Sequence, residues 1–171
     1  ALAHLVRDLC QLRRGPEDMP YSPALLLAFV VASIVLDLAT SAAFGGDDNA
    51  LARSLVSTAL VLALAWAALH VRRLANRYVQ TASALVACGI VFSLLVLPLG
   101  WLAHPMPATA TALTPLQVLL GWAVLAIFVW NLVVFAHIMR RAIDAPFGLA
   151  LAIVVAWAVA NWALAHALFD P

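Results

Sequence analysis

Five long apolar stretches, joined by connections too short to hold a domain of their own, decide most of what this chain can fold into. The first runs from Pro23 to Phe44 and is mostly apolar, with Asp37, Thr40 and Ser41 among its few polar residues. The others cover residues 53–70, 81–102, 116–139 and 146–169. At a rise of about 1.5 Å per residue, helices of this length cover roughly 30 Å, the thickness of a bilayer's hydrocarbon core. A water-soluble fold is a poor alternative: 66% of the residues are hydrophobic and 10% charged, where a soluble domain carries about a quarter charged residues. That surplus of apolar side chain needs an apolar solvent. The expected fold class is an all-α integral membrane protein, a bundle of about five transmembrane helices preceded by a short amphipathic interfacial helix. Residues 1–15 form the interfacial segment and residues 16–171 the five-helix domain.

The N-terminal segment differs in kind from the five apolar stretches. Leu2, Leu5, Val6, Leu9 and Leu12 recur at helical spacing, while Arg7, Asp8, Gln11, Arg13 and Arg14 take the other positions. Such a helix is too short and too charged to span, and is expected to lie in the headgroup plane, stopped by Gly15 and Pro16. Ser22 then suits an N-cap, with Pro23 at the first helical position, where its missing N–H costs nothing. The third stretch is expected to close at Pro98, Gly100 and Trp101, and residues 104–115 to form a loop. The first apolar run is too long for a signal-peptide core and lacks a cleavage pattern, so no secretory signal is expected; a few residues are expected to precede Ala1.

Arginine placement sets the expected orientation. Arg7, Arg13, Arg14, Arg72, Arg73, Arg77, Arg140 and Arg141 fall on one side of the spans, and Arg53 alone on the other. By the positive-inside rule the eight-residue side is cytoplasmic, giving an inward N-terminus and an outward C-terminus. Trp101 and Phe169 then stand near the outer boundary and Tyr78 near the inner one, as interfacial anchors. All nine basic residues are arginine and alanine is abundant, which suggests a GC-rich bacterial genome and hence the inner membrane.

Polar groups inside the spans are the candidate functional residues. Asp37 sits near the middle of its stretch, where a carboxylate costs about 2.5–3.5 kcal/mol on insertion scales and should face protein or water. Asn161 is expected at nearly the same depth, and Arg53 can snorkel towards both. Three roles are open to Asp37: a structural contact with Asn161 or Arg53, part of an ion or proton path, or a contact with a partner subunit. Asn131 lies on the other side of the midplane and is expected to bond across helices. The run Ala28–Ala32 also resembles Ala152–Ala156 at an offset that superposes Asp37 on Asn161, which admits a parallel internal repeat. Small residues every four positions mark expected packing faces: Ala59, Ala63 and Ala67 in the second stretch, Gly148, Ala152, Ala156 and Ala160 in the fifth.

Motifs that would name a reaction are missing. The sequence has no phosphate loop, nucleophile elbow or metalloprotease helix, and no His-x-x-x-His or Cys-x-x-Cys spacing, so no enzyme activity and no cofactor are expected. Cys10 is expected on the cytoplasmic face and Cys88 at mid-membrane, both as small apolar fillers. His4, His70 and His137 belong near one boundary, His104 and His166 near the other; pairs of this kind admit axial haem ligation, although boundary histidines are ordinarily interfacial.

The short N-terminal segment, five closely connected helices, outward C-terminus and Pro20-Tyr21-Ser22-Pro23 lead-in to the first helix resemble the Yip family of small multispanning membrane proteins. The resemblance covers the arrangement from Pro16 to Pro171 and implies an accessory or organising role in the membrane. The longer cytoplasmic region of the eukaryotic members is not seen, so their trafficking roles are not carried over. The expected function is thus a non-enzymatic subunit, scaffold or assembly factor of a larger membrane complex. Its partners would be the lipid bilayer and other membrane subunits or a second copy, and not nucleic acid. A small transporter or channel using Asp37 is the alternative, and a haem-bearing electron-transfer subunit the third.

Overall fold

A computed structural model describes residues 2–46, 48–103 and 114–169, and among these every regular element is helical. The helices are α1 (Leu2–Cys10), α2 (Pro23–Ala43), α3 (Ala50–Val71), α4 (Tyr78–Ala103), α5 (Pro115–Ala142) and α6 (Phe147–Phe169), with single 3₁₀ turns at Pro16–Asp18 and Ala75–Arg77. Five are long and apolar enough to cross a membrane, which suggests a multi-pass membrane protein.

Local chemistry explains most helix ends. Ser22 accepts the Leu25 N–H at 3.2 Å with Pro23 behind it, as its position suggests. Thr114 and Gln117 form a reciprocal capping box, so α5 starts at Pro115 and not inside an extended loop. The rest of that expected loop, residues 104–113, lies outside the described residues, as do Ala1, Asp47, Asp170 and Pro171. α4 continues through Pro98 to Ala103, where the sequence suggested closure. α1 ends at Cys10, earlier than the Gly15-Pro16 pair implied, because Leu12 turns into the left-handed region (φ 62°). The Arg13 N–H then reaches the Asp8 carbonyl (2.9 Å) and the Leu12 N–H the Leu9 carbonyl (3.0 Å), satisfying the last orphan acceptors.

α4 is the axis of the bundle. It touches α1, α2, α3 and α5, and 44% of its most apolar stretch is buried against 0% for that of α2. Short connections imply mostly antiparallel neighbours, yet the most extensive contact is between α2 and α4, which run parallel. They advance together along the bundle: Met19, just before α2, meets Gln80, Asp37 meets Ser93, and Phe44 meets Gly100. The helices approach closely at Gly100, where a Cβ would stand 2.7 Å from the Phe44 ring and 3.1 Å from the Ala43 Cβ, so a larger residue would have to push the ring aside.

The core lies towards the end where the arginines gather. Residues Thr81–Cys88 of α4 are all buried, beside Leu9, Met19, Leu69, Val134, Ile138 and Met139. Polar contacts tie this end together. Arg72 donates to the carbonyls of Ile143 (3.1 Å) and Asp144 (3.3 Å), and Arg77 to that of Ala142 (3.4 Å), so the turn before α4 caps the end of α5. Arg77 also pairs with Asp144 (3.1 Å), and Arg141 with Glu17 (2.6 Å).

One sequence expectation is not met within the chain and another is corrected. Ala59, Ala63 and Ala67 of α3 are exposed, as are Gly148, Ala152, Ala156 and Ala160 of α6, so neither stripe packs within the chain. The faces turned inward carry Ser54, Thr58, Val61, Ala65 and Leu69 in α3, and Ala150 and Val154 in α6. In helices this rich in alanine small residues recur on every face, and the groups that need partners choose which face turns in. Cys10 and Cys88 are not at different levels either: the two buried thiols lie against each other. The cause is α1, whose stripe of Val6, Leu9 and Cys10 docks on α4 and α5. The Trp130 indole N–H fixes that dock by donating to the Cys10 carbonyl at 3.1 Å.

Candidate functional site

Helical spacing brings Ser33, Asp37, Thr40 and Ser41 to one side of α2, and Ser54, Ser57 and Thr58 to one side of α3. Between these faces, beside α4, sits the Asp37 carboxylate. Ser54 donates to Asp37 Oδ2 at 2.8 Å and Ser93 donates to Oδ1 at 3.3 Å, so each oxygen is held by a different helix. Ser33 and Thr40 donate to carbonyls of their own helix, Val30 (2.9 Å) and Leu36 (2.8 Å). Among the described residues no basic side chain forms an ion pair with Asp37.

Asp37 borders two cavities. One, of about 310 Å³, lies between all five long helices and is open on one side; its polar lining includes Ser33, Ser57, Ser93 and Asn131, and its apolar wall includes Phe92, Phe135 and Trp157. The other, of about 320 Å³, lies between α2, α3 and α6 and is lined by Ser41, Arg53, Ser54, Asn161 and Phe169 among others. Asp37 and Ser57 border both, so the carboxylate stands at their junction.

The structure therefore brings Asp37, Arg53 and Asn161 to one cleft, but the carboxylate's hydrogen bonds go to serines and not to Asn161. Two short hydroxyls on neighbouring helices reach it first. The Arg53 guanidinium lies 5.2 Å from the centre of the Phe169 ring. Asn131 lines the inner cavity, and its amide makes no cross-helix hydrogen bond among the described residues. The serines are what the sequence reading missed, although Ser54, Ser57 and Thr58 fall at i, i+3 and i+4, a signal of one polar helix face.

The remaining candidates have local roles. His137 Nε2 is 3.1 Å from the Arg14 carbonyl, His70 stacks on Trp66, and His166 meets the edge of Trp162. Among the described residues no three His, Cys, Asp or Glu side chains are grouped as metal ligands. What the Asp37 site offers is binding chemistry: a carboxylate fixed at both oxygens, hydroxyls around it, and an aromatic wall. Compared with protein-family models, curated proteins and solved structures, the chain matches none.

Proposed function

We propose that this chain is a multi-pass protein of a bacterial inner membrane, N-terminus inward and C-terminus outward, acting without catalysis as a subunit, scaffold or assembly factor of a larger membrane complex. The observation that carries the subunit role is the placement of α1. Its apolar stripe is used up on α4 and α5, leaving His4 and Arg7 exposed on the flank of the bundle. The dock at Trp130 is twelve residues from the end of α5 at Ala142, or roughly 18 Å of helix. With the five helices crossing a bilayer, that depth is within hydrocarbon, where a charged flank is costly unless protein covers it. The outward stripes on α3 and α6 add to this, since small residues let a neighbouring helix approach closely. Leaving Arg7 aside, seven arginines at one end of the spans against Arg53 at the other support the orientation, and the resemblance to the Yip family points to the same organising role.

A photo-crosslinking residue in place of Arg7, activated in native membranes, tests the role. A discrete protein adduct at that position and none at Trp122 on the exposed side of α5 is expected; lipid adducts alone at both positions would overturn it. For orientation, a periplasm-dependent reporter should work after Pro171 and fail after Arg77 or Arg141, and the reverse pattern would refute it.

A transport reading is favoured by one observation, the carboxylate shared between two cavities. Under it, cation flux into proteoliposomes should depend on Asp37 and vanish in Asp37→Asn.

A further inference from the structure

The polar band at Asp37 does more than join helices: we propose that the inner cavity binds a small lipophilic amine, a protonated nitrogen on a compact apolar body, with Asp37 as its counter-ion. This stands apart from the subunit role and holds whether or not the chain has a partner.

The anionic pole is already oriented. A carboxylate offers about four lone-pair sites, and Ser54 and Ser93 occupy one on each oxygen, leaving the others for a further donor. Among the described residues no cation of the chain pairs with it. An isolated charge in a low-dielectric interior is expensive, and a bound ammonium removes that cost while supplying up to three donors. Ser57 and Asn131 extend the polar side of the same cavity.

The rest of the wall argues for an organic cation over a metal ion. Phe92, Phe128, Phe135 and Trp157 line the cavity, and aromatic faces attract ammonium groups while packing against hydrocarbon. A volume of about 310 Å³ is at the small end of the range for ligand pockets and far exceeds one ion. Alkali and alkaline-earth ions ask for a shell of oxygens, which a mainly apolar wall does not provide. The outer cleft, sharing Asp37 and Ser57, gives a polar approach to the site.

Gly89 supplies an independent test, because it lines the cavity and a Cβ built on it meets no atom within 4 Å. Gly89→Leu should therefore fill the cavity without displacing a helix. Binding of 2-phenylethylamine to the purified full chain is measured by calorimetry, beside its neutral counterpart 2-phenylethanol. The expected result is saturable amine binding, about ten-fold or more tighter than the alcohol, the size of one charged hydrogen bond. Gly89→Leu and Asp37→Asn, checked for unchanged helix content, should each weaken the amine by a similar factor. Equal affinity for amine and alcohol in the unaltered protein would overturn the proposal, whatever the variants do. So would undiminished binding to Gly89→Leu, which would put the amine elsewhere, or stoichiometric displacement by sodium ions, which would make the site one for a metal cation.

Discussion

At the arginine end, residues Thr81–Cys88 of α4 are buried without a break; at the opposite end the same helix exposes Leu94, Leu95, Trp101 and Leu102. Side-chain size accounts for the difference. Thr81, Ala82, Ser83, Ala84 and Ala87 are small on every face, so α1, α2, α3 and α5 can close around α4 there. Arginine bonds to the carbonyls ending α5 then lock the turns together. Beyond Ser93 the bulky residues turn outward, leaving Leu116, Leu119, Trp122 and Trp162 as a broad apolar surface suited to lipid. The Asp37 cavities open between these regimes, where close contact gives way to looser contact.

The contrast rests first on α1 being docked, and the two thiols report this directly. The buried Cys10 thiol of α1 lies against the buried Cys88 thiol of α4, a contact that exists only while α1 is docked. Mild oxidation with diamide should convert the unaltered chain almost wholly to an internal disulfide, read as a gel shift lost in Cys88→Ser. A helix lying apart in the headgroup plane would give no such product.

Core truncation should have the next largest effect. Leu85→Ala, at a fully buried site, should cost about 2–5 kcal/mol of unfolding free energy in mixed micelles. Leu102→Ala, at a side chain 63% exposed, should cost less than about 0.5 kcal/mol. Similar losses at both positions would erase the distinction between the two ends.

The arginine lock is worth less than the core. Arg72→Ala removes two donors from the carbonyls of Ile143 and Asp144 and should cost about 1 kcal/mol by the same assay. Near the boundary between the regimes, Asp37→Leu strands the Ser54 and Ser93 hydroxyls and should also cost about 1 kcal/mol, whereas Asp37→Asn keeps an acceptor and should leave stability nearly unchanged. A large loss in Asp37→Asn would mean that the charge itself holds the helices.

The smallest effect has the opposite sign. Arg73 closes α3 in the left-handed region (φ 58°), as Leu12 and Asp144 do after α1 and α5 (φ 62° and 50°). Arg73→Gly should relieve that strain and stabilise by up to about 1 kcal/mol, measured as a higher midpoint of thermal unfolding. A lower midpoint would show that the arginine side chain contributes more than its backbone costs.

Hydropathy and arginine position were legible because each is a property of a residue and its near neighbours. Helix boundaries such as Ser22-Pro23 came from local capping chemistry, and the long helices fall within a few residues of the apolar stretches. Asp37 stood out for the same reason: one carboxylate in an apolar run needs a partner wherever the run is placed. Its partner was less legible, since several hydroxyls and amides lay at similar depth and spacing alone does not rank them.

By itself, then, the sequence determined the helices, their lengths, and the polar groups that cannot face hydrocarbon. Tertiary structure decided which faces met. It turned Ser54 and Thr58 inward and Ala59, Ala63 and Ala67 outward, brought α2 close to α4 at Gly100, and seated Cys10 beside Cys88. Those choices depend on matching surfaces of residues far apart in the chain, where a hydrogen bond to Asp37 or a close approach at one glycine separates arrangements that local periodicity leaves equal.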